Sequence, residues 1–282
     1  MSNLKELINR VNTVSSIVKM TSAMKLVSSR NLKKTQEKLL NLNFYKSNIE
    51  KIFQILLLNN NNNNNNLLFK TNKKNTILLI VLTSNRGLCG SFNNFLLKIS
   101  NYLINNFFKN KNIYILFFGK KGKELFSKKY PIYVYNLNLI ENINFNILSN
   151  IINDIYKNYK IGNFMKIIMI YNNSKNIYKK FISIKQILPV KMNKHFFLKK
   201  KQDFRFEPSQ KKILKFLFPE MLKLKIYNSI LESKISEHSS RMIAMQKAKD
   251  NGLKIKKELL YYFNKIRKEN ITKEILEIIG GI

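Results

Sequence analysis

The residues that come nearest to a chemical site form a glycine-rich stretch, Ser84 to Ser91, between an apolar run and a helical pattern. Phosphate-binding loops occupy such places, because the amides at the start of a helix attract anions. The stretch matches neither the dinucleotide fingerprint nor the P-loop, since no Lys-Ser or Lys-Thr pair follows its glycines. A second glycine-lysine stretch at 119 to 123 also misses the spacing. We therefore interpret Ser84 to Ser91 as a tight strand-to-helix turn, and we expect no binding or hydrolysis of ATP.

Two further side chains could be reactive, Cys89 and His238. Cys89 has no evident base partner and lies among small residues, which is typical of a buried structural thiol. His238 lies on an apolar stripe beside Glu237 and Arg241, which is typical of a histidine packed in a helix seam. With one cysteine and two histidines, the chain has neither a disulfide framework nor a zinc site of ordinary spacing. The sequence thus predicts no catalytic residue, no cofactor and no metal, and favours an interaction protein over an enzyme.

The charge balance is strongly basic, with 51 Lys and Arg against 16 Asp and Glu and a net charge of +35. A basic chain can indicate a nucleic-acid partner. Here the inference is weak, because lysine, asparagine, isoleucine, phenylalanine and tyrosine share A/T-rich codons. The final predicted helix also contains glutamates, among them Glu258, Glu269, Glu274 and Glu277, whereas a nucleic-acid arm would be uniformly basic. A basic coiled-coil nucleic-acid-binding protein and a nucleotide-dependent α/β enzyme stay open as alternatives.

Targeting signals are not evident in the sequence. No apolar run reaches the roughly 18 residues that span a bilayer. Helical patterning begins at Leu4, which does not fit a signal or transit peptide. We expect the protein to act in the reducing compartment where it is made.

The first region, residues 1 to 58, predicts a single shaft helix over 2 to 58. Apolar residues alternate at spacings of three and four, as in a coiled-coil seam: Leu4, Leu7, Val11, Val14 and Val18. Met20, Met24 and Val27 continue the stripe on a shifted phase. A helix of some 55 residues would be roughly 80 Å long and therefore needs a partner of similar length. Residues 59 to 75 follow as an asparagine-rich loop.

Residues 76 to 200 predict an α/β domain. Short apolar runs alternate with helical patterns, which favours a largely parallel sheet. The strand candidates are Ile77 to Leu82, Ile113 to Phe118, Ile132 to Tyr135, Lys166 to Tyr171 and Phe181 to Val190. Because only a short link separates the last two, they could form an antiparallel edge.

Residues 201 to 282 predict the second shaft region, with a short helix from Ser209 and another from Pro219. Its stripe steps by four and three through Leu231, Ile235, His238, Met242, Met245, Lys249 and Gly252. After a one-residue slip at Gly252 it continues through Ile255, Leu259, Tyr262 and Ile266, and the helix is expected to stop at Gly280 and Gly281. All three alanines fall in the terminal helices, which suggests close interhelical contact at Ala23, Ala244 and Ala248. The predicted fold is an antiparallel coiled coil of the N- and C-terminal helices with a central Rossmann-like α/β domain.

Five segments in the same order resemble the gamma subunit family of F-type ATP synthases. The first two are VKMTSAMKLVSSRNLKKTQ within Ile17 to Gln36, and TSNRGLCGSFN at Thr83 to Asn93. The others are DFRFEPS at Asp203 to Ser209, SEHSSRMIAMQKAKDNG at Ser236 to Gly252, and YFNKIRKENITKEILEIIGG at Tyr262 to Gly281. The resemblance implies a non-catalytic central stalk that couples rotation of a proton-carrying membrane ring to conformational change at the catalytic beta subunits.

The resemblance also implies partners and contact residues. It places Met24, Arg241, Arg267 and Thr272 at contacts with the alpha and beta subunits. Phe206 and Glu207 would face the membrane c-ring and the epsilon subunit. The alternative for the two arginines is that they pair with Glu237 or Glu269 on their own helix. The family implies no nucleic acid, membrane contact only through the ring, and a peripheral position at the cytoplasmic face of a bacterial cell membrane, with an organelle-encoded protein as the other option.

Overall fold

The computed structural model describes residues 2–58, 72, 74–126, 130–133, 145–173, 181–190 and 204–281. The predicted asparagine-rich loop lies almost wholly outside these residues. Five helices and four strands are present in the described part of the chain: α1 (Ser2–Leu58), β1 (Thr76–Leu82), α2 (Phe92–Phe107), β2 (Asn112–Phe118), α3 (Lys120–Phe126), α4 (Phe145–Ile161), β3 (Lys166–Asn173), β4 (Phe181–Leu188) and α5 (Gln210–Gly280). The single helix predicted over residues 2 to 58 is confirmed as α1.

The four strands form one sheet in the order β2-β1-β3-β4. β1 pairs in parallel with both β2 and β3, whereas β4 runs antiparallel to β3. The predicted antiparallel edge is therefore confirmed. Of the run predicted over Ile132 to Tyr135, only Ile132 and Tyr133 are among the described residues, and Ile132 makes an isolated parallel bridge with Ile115.

Each face of the sheet buries its own apolar core. On one face β1, β2 and β3 pack against α2 through residues such as Phe92 and Leu96. On the other face the strands pack against α4, the end of α1 and the beginning of α5, where Phe53, Tyr171 and Phe218 are almost completely buried. The central strands β1 and β3 are apolar and buried on both faces, which is the pattern expected of parallel strands that are covered on both sides.

The two helices predicted from Ser209 and Pro219 form a single helix, α5, which contains Pro219. The side chain of Ser209 accepts a hydrogen bond from the Lys212 amide at 3.5 Å, so Ser209 acts near the helix start as predicted. Proline removes one backbone hydrogen bond, which is why a break was expected. The helix continues because burial of Leu214, Phe218 and Leu222 stabilises the turns on both sides of the proline.

The chain folds into two compact units. The first consists of residues 1–31 and 241–282, and the second of residues 32–240. α1 and α5 each contribute a segment to both units. The second unit contains the sheet and its covering helices.

Candidate partner-binding surfaces

The seam of α1 in the first unit follows an unbroken heptad pattern. All five predicted positions from Leu4 to Val18 are half-buried. The predicted phase shift is wrong, because Met20 and Val27 are each 60% exposed. The seam instead continues through Thr21 and Ser28, which are 8% and 3% exposed.

Thr21 and Ser28 can occupy a buried seam because each satisfies its hydroxyl within α1. The Thr21 hydroxyl donates to the Ile17 carbonyl oxygen at 2.9 Å, and the Ser28 hydroxyl donates to the Met24 carbonyl oxygen at 2.8 Å. A hydroxyl that bonds to the preceding turn presents mainly its small carbon surface to the partner helix. The seam prediction is therefore wrong at these two positions, because it favours the apolar residues beside them, Met20 and Val27.

The seam of α5 also continues without the predicted slip. Ile255 and Tyr262 are 47% and 56% exposed, whereas Lys256 and Phe263 are half-buried. The Lys256 ammonium donates to the Ser15 hydroxyl oxygen on α1 at 3.2 Å. Lysine can occupy the seam because its aliphatic stem packs while its charged end reaches a polar group.

The closest approach of the two helices involves Gly252. A Cβ atom at this position would lie 2.7 Å from Cγ2 of Val18. Ser15 contacts Lys256, and Val18, three residues later on α1, contacts Gly252, four residues earlier on α5. The two helices of this unit therefore run antiparallel, as predicted. The small residue at the contact is thus a glycine. Of the three alanines predicted to mark close interhelical contact, Ala23 is exposed, because it falls on the opposite face of the heptad, whereas Ala244 and Ala248 are half-buried.

The C-terminal end of α5 and the glycine that follows it, residues 271 to 281, are exposed along their whole length. Ser15 faces Lys256, so a residue eleven positions before Ser15, Leu4, lies close to the level of Arg267. No described residue of α1 is left to cover the following turns. Five large apolar side chains are consequently 44% to 70% exposed: Ile271, Ile275, Leu276, Ile278 and Ile279. An apolar surface of this kind indicates contact with a partner, and the sequence analysis did not identify it.

The four residues predicted to contact the alpha and beta subunits are not brought together in one place. Met24 and Arg241 are half-buried, whereas Arg267 and Thr272 are exposed. Thr272 donates its hydroxyl to the Lys268 carbonyl oxygen at 2.9 Å. In the described part of the chain Arg267 has no ion-pair partner, so the alternative in which it pairs with Glu269 is not found. Arg267 thus presents its guanidinium to solvent near the end of the paired helices.

The two residues predicted to face the membrane ring and epsilon subunit differ in exposure. Phe206 is half-buried and packs against the core that includes Phe218, whereas Glu207 is exposed. Phe204, two residues earlier, is 47% exposed. Phe206 therefore holds this segment on the second unit, and Glu207 and Phe204 are available for contact.

The glycine-rich turn after β1 uses its polar groups internally. The Ser84 amide donates to Oδ1 of Asn93 at 3.0 Å, and Nδ2 of Asn93 donates to the Ser84 hydroxyl oxygen at 2.7 Å. Leu88 and Gly90 both have a φ of 60°, so the chain reverses sharply before α2. Cys89 is buried at 3% exposure, beside Ser84 and Asn93. This geometry supports the interpretation of the stretch as a structural turn.

The described residues contain no group of three or more His, Cys, Asp or Glu side chains that could hold a metal ion. Among the described helices, none combines the length and the apolar character that crossing a bilayer requires.

Together these features define a class of protein that works by contact. It carries a small α/β domain and two long helices that pair in antiparallel register. Its C-terminal end is an exposed apolar helix, and the described residues present no catalytic constellation.

Comparison with known proteins identifies the family. A family model described as ATP synthase matches residues 3–282. The ATP synthase gamma chain of Flavobacterium johnsoniae is 35% identical over all of this chain and 98% of its own length, and that of Christiangramia forsetii is 33% identical with the same coverage. The fold is similar to a chain in the Euglena gracilis mitochondrial ATP synthase structure of OSCP, F1 and c-ring in rotational state 3, with a TM-score of 0.66, 16% identity, and coverage of 99% of this chain and 93% of that one.

The chain belongs to the ATP synthase gamma chain family. The predicted family and fold class are therefore confirmed. The alternative of a basic coiled-coil nucleic-acid-binding protein finds no support in these comparisons.

Proposed function

We propose that this chain is the central rotating stalk of a proton-translocating ATP synthase. In this role it has no active site, since the nucleotide sites lie in the beta subunits. Proton flow turns the membrane c-ring, the ring turns the chain, and the asymmetric helix pair changes the conformation of each beta subunit in turn. The chain therefore contributes to ATP synthesis and ion transport by transmitting torque.

The observation that carries the proposal is the uninterrupted seam between α1 and α5 in the first unit. One charge that crosses about 150 mV delivers roughly 3.5 kcal/mol, whereas an exposed ion pair contributes less than about 1 kcal/mol. Torque must therefore pass through continuously packed helices. The heptad from Leu4 to Ser28 on α1 packs against the seam of α5 that includes Gly252 and Lys256, and this pairing supplies such packing.

The proposed roles can be assigned to successive segments of the chain. Residues 1 to 58 and 201 to 282 are the shaft, and 76 to 200 are the α/β domain. The exposed apolar residues 271 to 281 suit a position inside the hexamer of alpha and beta subunits. The segment with Phe206 and Glu207 suits contact with the c-ring and the epsilon subunit.

Family membership implies a complex that is peripherally associated with a membrane. We propose that this membrane is the bacterial cell membrane, that the chain acts at its cytoplasmic face, and that it meets the membrane only through the ring. Organelle encoding is the alternative, since the A/T-rich composition fits both.

Isolation of the chain at moderate salt tests the function directly. We expect mass spectrometry to find alpha, beta and epsilon subunits in fixed stoichiometry with the chain. Recovery with nucleic acid, and without these subunits, would overturn the proposal.

Arg267→Lys is expected to lower coupled ATP synthesis about fivefold, which corresponds to about 1 kcal/mol, the typical net contribution of one hydrogen bond. Lysine keeps the charge but loses the planar donor array that a carboxylate or carbonyls of a beta subunit would accept. The measurement is ATP synthesis in reconstituted vesicles, normalised to assembled enzyme.

The matched control is Arg10→Lys, because Arg10 is also exposed but binds Glu6 on its own helix at 2.6 Å. Equal rates for the Arg267→Lys and Arg10→Lys enzymes would contradict a contact role for Arg267.

Glu207→Lys is expected to lower ATP-driven proton pumping about threefold while hydrolysis by the soluble head stays unchanged. The reversal replaces an attraction by a repulsion at a partly solvated contact, where each term is at most about 1 kcal/mol. Glu124→Lys is the control, since Glu124 is an exposed carboxylate that pairs with Lys121 at 2.7 Å. Parallel loss of pumping and soluble hydrolysis would argue against this position for Glu207.

A further inference from the structure

A polar cluster lies between the sheet and α5 in the second unit, at the edge of the apolar core, where the side chains of Lys185 and Glu232 are 36% and 19% exposed. Tyr171 of β3 is completely buried, and its hydroxyl donates to Oε2 of Glu232 on α5 at 2.7 Å. The other carboxylate oxygen, Oε1, accepts a hydrogen bond from Nδ2 of Asn228 at 2.8 Å. Asn228 lies one turn earlier on α5, so the helix itself orients the carboxylate toward the strand.

The adjacent strand, β4, contributes to the same cluster. The Lys185 ammonium lies 3.8 Å from Oε2 of Glu232 and 4.9 Å from the ring centroid of Tyr171. A cation over an aromatic face is attracted by the ring. One carboxylate on α5 is therefore held by groups from two strands.

The protonation states of the cluster favour these contacts. Burial, and then the Glu232 carboxylate, raise the pKa of Tyr171, so its hydroxyl remains a donor at physiological pH. Burial lowers the pKa of Lys225 on the same helix, Lys185 lowers it further, and Glu50 on α1 acts in the opposite direction. Glu50 also lies 3.8 Å from Lys46. Lys225 of α5 is thus influenced by charged groups of both β4 and α1.

The polar contacts of the cluster differ from the surrounding apolar contacts because they have a preferred geometry. Apolar contacts such as those of Phe218 and Leu222 with the core are strong but have no preferred direction. A hydrogen-bonded carboxylate has one satisfactory arrangement, because leaving a buried polar group without its partner is unfavourable. Polar contacts of this kind can fix the register of packed elements.

We propose that Tyr171, Lys185 and Glu232 form a brace that fixes the register of the sheet on α5 and prevents slippage under load. The inference rests on the proposed function, since only a chain that transmits torque needs the brace. The three residues are positioning residues, and they touch no nucleotide. Under a small proton gradient the apolar core alone holds the sheet. Under a large gradient the brace sets the load at which the two elements begin to slip.

The first test measures local opening in the assembled enzyme by hydrogen exchange. Tyr171→Phe removes one hydroxyl and retains the ring, and Glu232→Gln retains the shape of the carboxylate. We expect amide exchange in β4 and in residues 225 to 235 to become about tenfold faster in both variants. Tyr133→Phe is the matched control, because the Tyr133 hydroxyl accepts a hydrogen bond at 3.0 Å from Asn158 of α4, and this bond does not involve α5.

The second test measures how strongly an uncoupler stimulates ATP hydrolysis in vesicles. This stimulation shows how strongly a large proton gradient slows hydrolysis by the coupled enzyme. We expect a smaller stimulation for Tyr171→Phe, Glu232→Gln and Lys185→Met than for the wild type, and an unchanged stimulation for Tyr133→Phe. Rates are normalised to assembled enzyme, so that reduced folding alone does not alter the ratio.

The possible results separate the brace from the proposed function. Wild-type stimulation in every brace variant overturns the brace, whether or not exchange becomes faster, because the cluster then only stabilises the fold. An equal effect of Tyr133→Phe also overturns it. If vesicles with the wild-type chain show no stimulation at all, the stalk function itself fails, and the brace fails with it.

Discussion

Phe218→Ala is expected to lower the free energy of unfolding of the second unit by about 3–5 kcal/mol. The Phe218 ring is 1% exposed, and its centroid lies 6.0 Å from that of Phe53 on α1 and 5.5 Å from that of Tyr156 on α4. Truncation leaves a cavity where three helices meet beneath the sheet. Because whole domains are stable by about 5–15 kcal/mol, this single change should bring the unit close to unfolding at ordinary temperature. Urea denaturation of the purified chain, followed by circular dichroism, measures the loss.

Phe216→Ala is the matched control for this prediction. Phe216 lies on the same helix but is 76% exposed, so its truncation should change stability by less than about 0.5 kcal/mol. If Phe218→Ala and Phe216→Ala lower the free energy of unfolding by the same amount, the stability of the second unit does not depend on the packing described for Phe218.

Gly252→Val is expected to destabilise the paired helices of the first unit by about 1–3 kcal/mol, the usual range for overpacking. The first added carbon would already lie 2.7 Å from Cγ2 of Val18, and both valine side chains have restricted rotamers. Valine has a higher helix propensity than glycine, so a loss of stability cannot come from the isolated helix. Thermal unfolding followed at a helix-sensitive wavelength checks the change.

Two further variants make the Gly252 experiment specific. Leu253→Val alters the next residue, which is 45% exposed, and should leave the melting temperature nearly unchanged. Val18→Ala in the Gly252→Val background should restore part of the stability, because it removes the methyl groups that clash. A Gly252→Val chain as stable as the Leu253→Val chain would contradict the close helix approach.

The sequence predicted the seam where its positions are apolar and failed where they are polar. Spacing alone located Leu4 through Val18 on one face of α1. Beyond Val18 the next seam positions include Thr21 and Ser28, and on α5 the position after Gly252 is Lys256. In each case an exposed apolar neighbour suggested a change of phase. Hydroxyls that bond to the preceding turn, and a lysine that reaches Ser15, make polar seam positions compatible with burial.

The α/β layer was predictable because strand and helix periods differ and because short links restrict topology. The antiparallel pairing of β4 with β3 followed from the short segment between their runs. The continuity of α5 through Pro219 did not follow, since local backbone preference indicates a break and only burial of the surrounding turns overcomes it.

The contact surfaces were the least predictable part. The exposed apolar end of α5 becomes visible only when the register shows that no described residue of α1 faces it. The register in turn depends on two tertiary contacts, Ser15 with Lys256 and Val18 with Gly252. Likewise, the partial burial of Phe206 depends on the core that receives it, whereas its role was inferred from family resemblance alone.

Rotation of single molecules shows directly whether this chain turns inside the head of alpha and beta subunits. A cysteine introduced at exposed Lys109 carries the probe, and native Cys89 is buried and does not compete for the label. With the alpha and beta subunits immobilised and ATP supplied, we expect sustained rotation of the probe in one direction, which stops when ATP is removed. A probe that stays fixed relative to the immobilised head during ATP hydrolysis would show that the chain is not a rotating stalk.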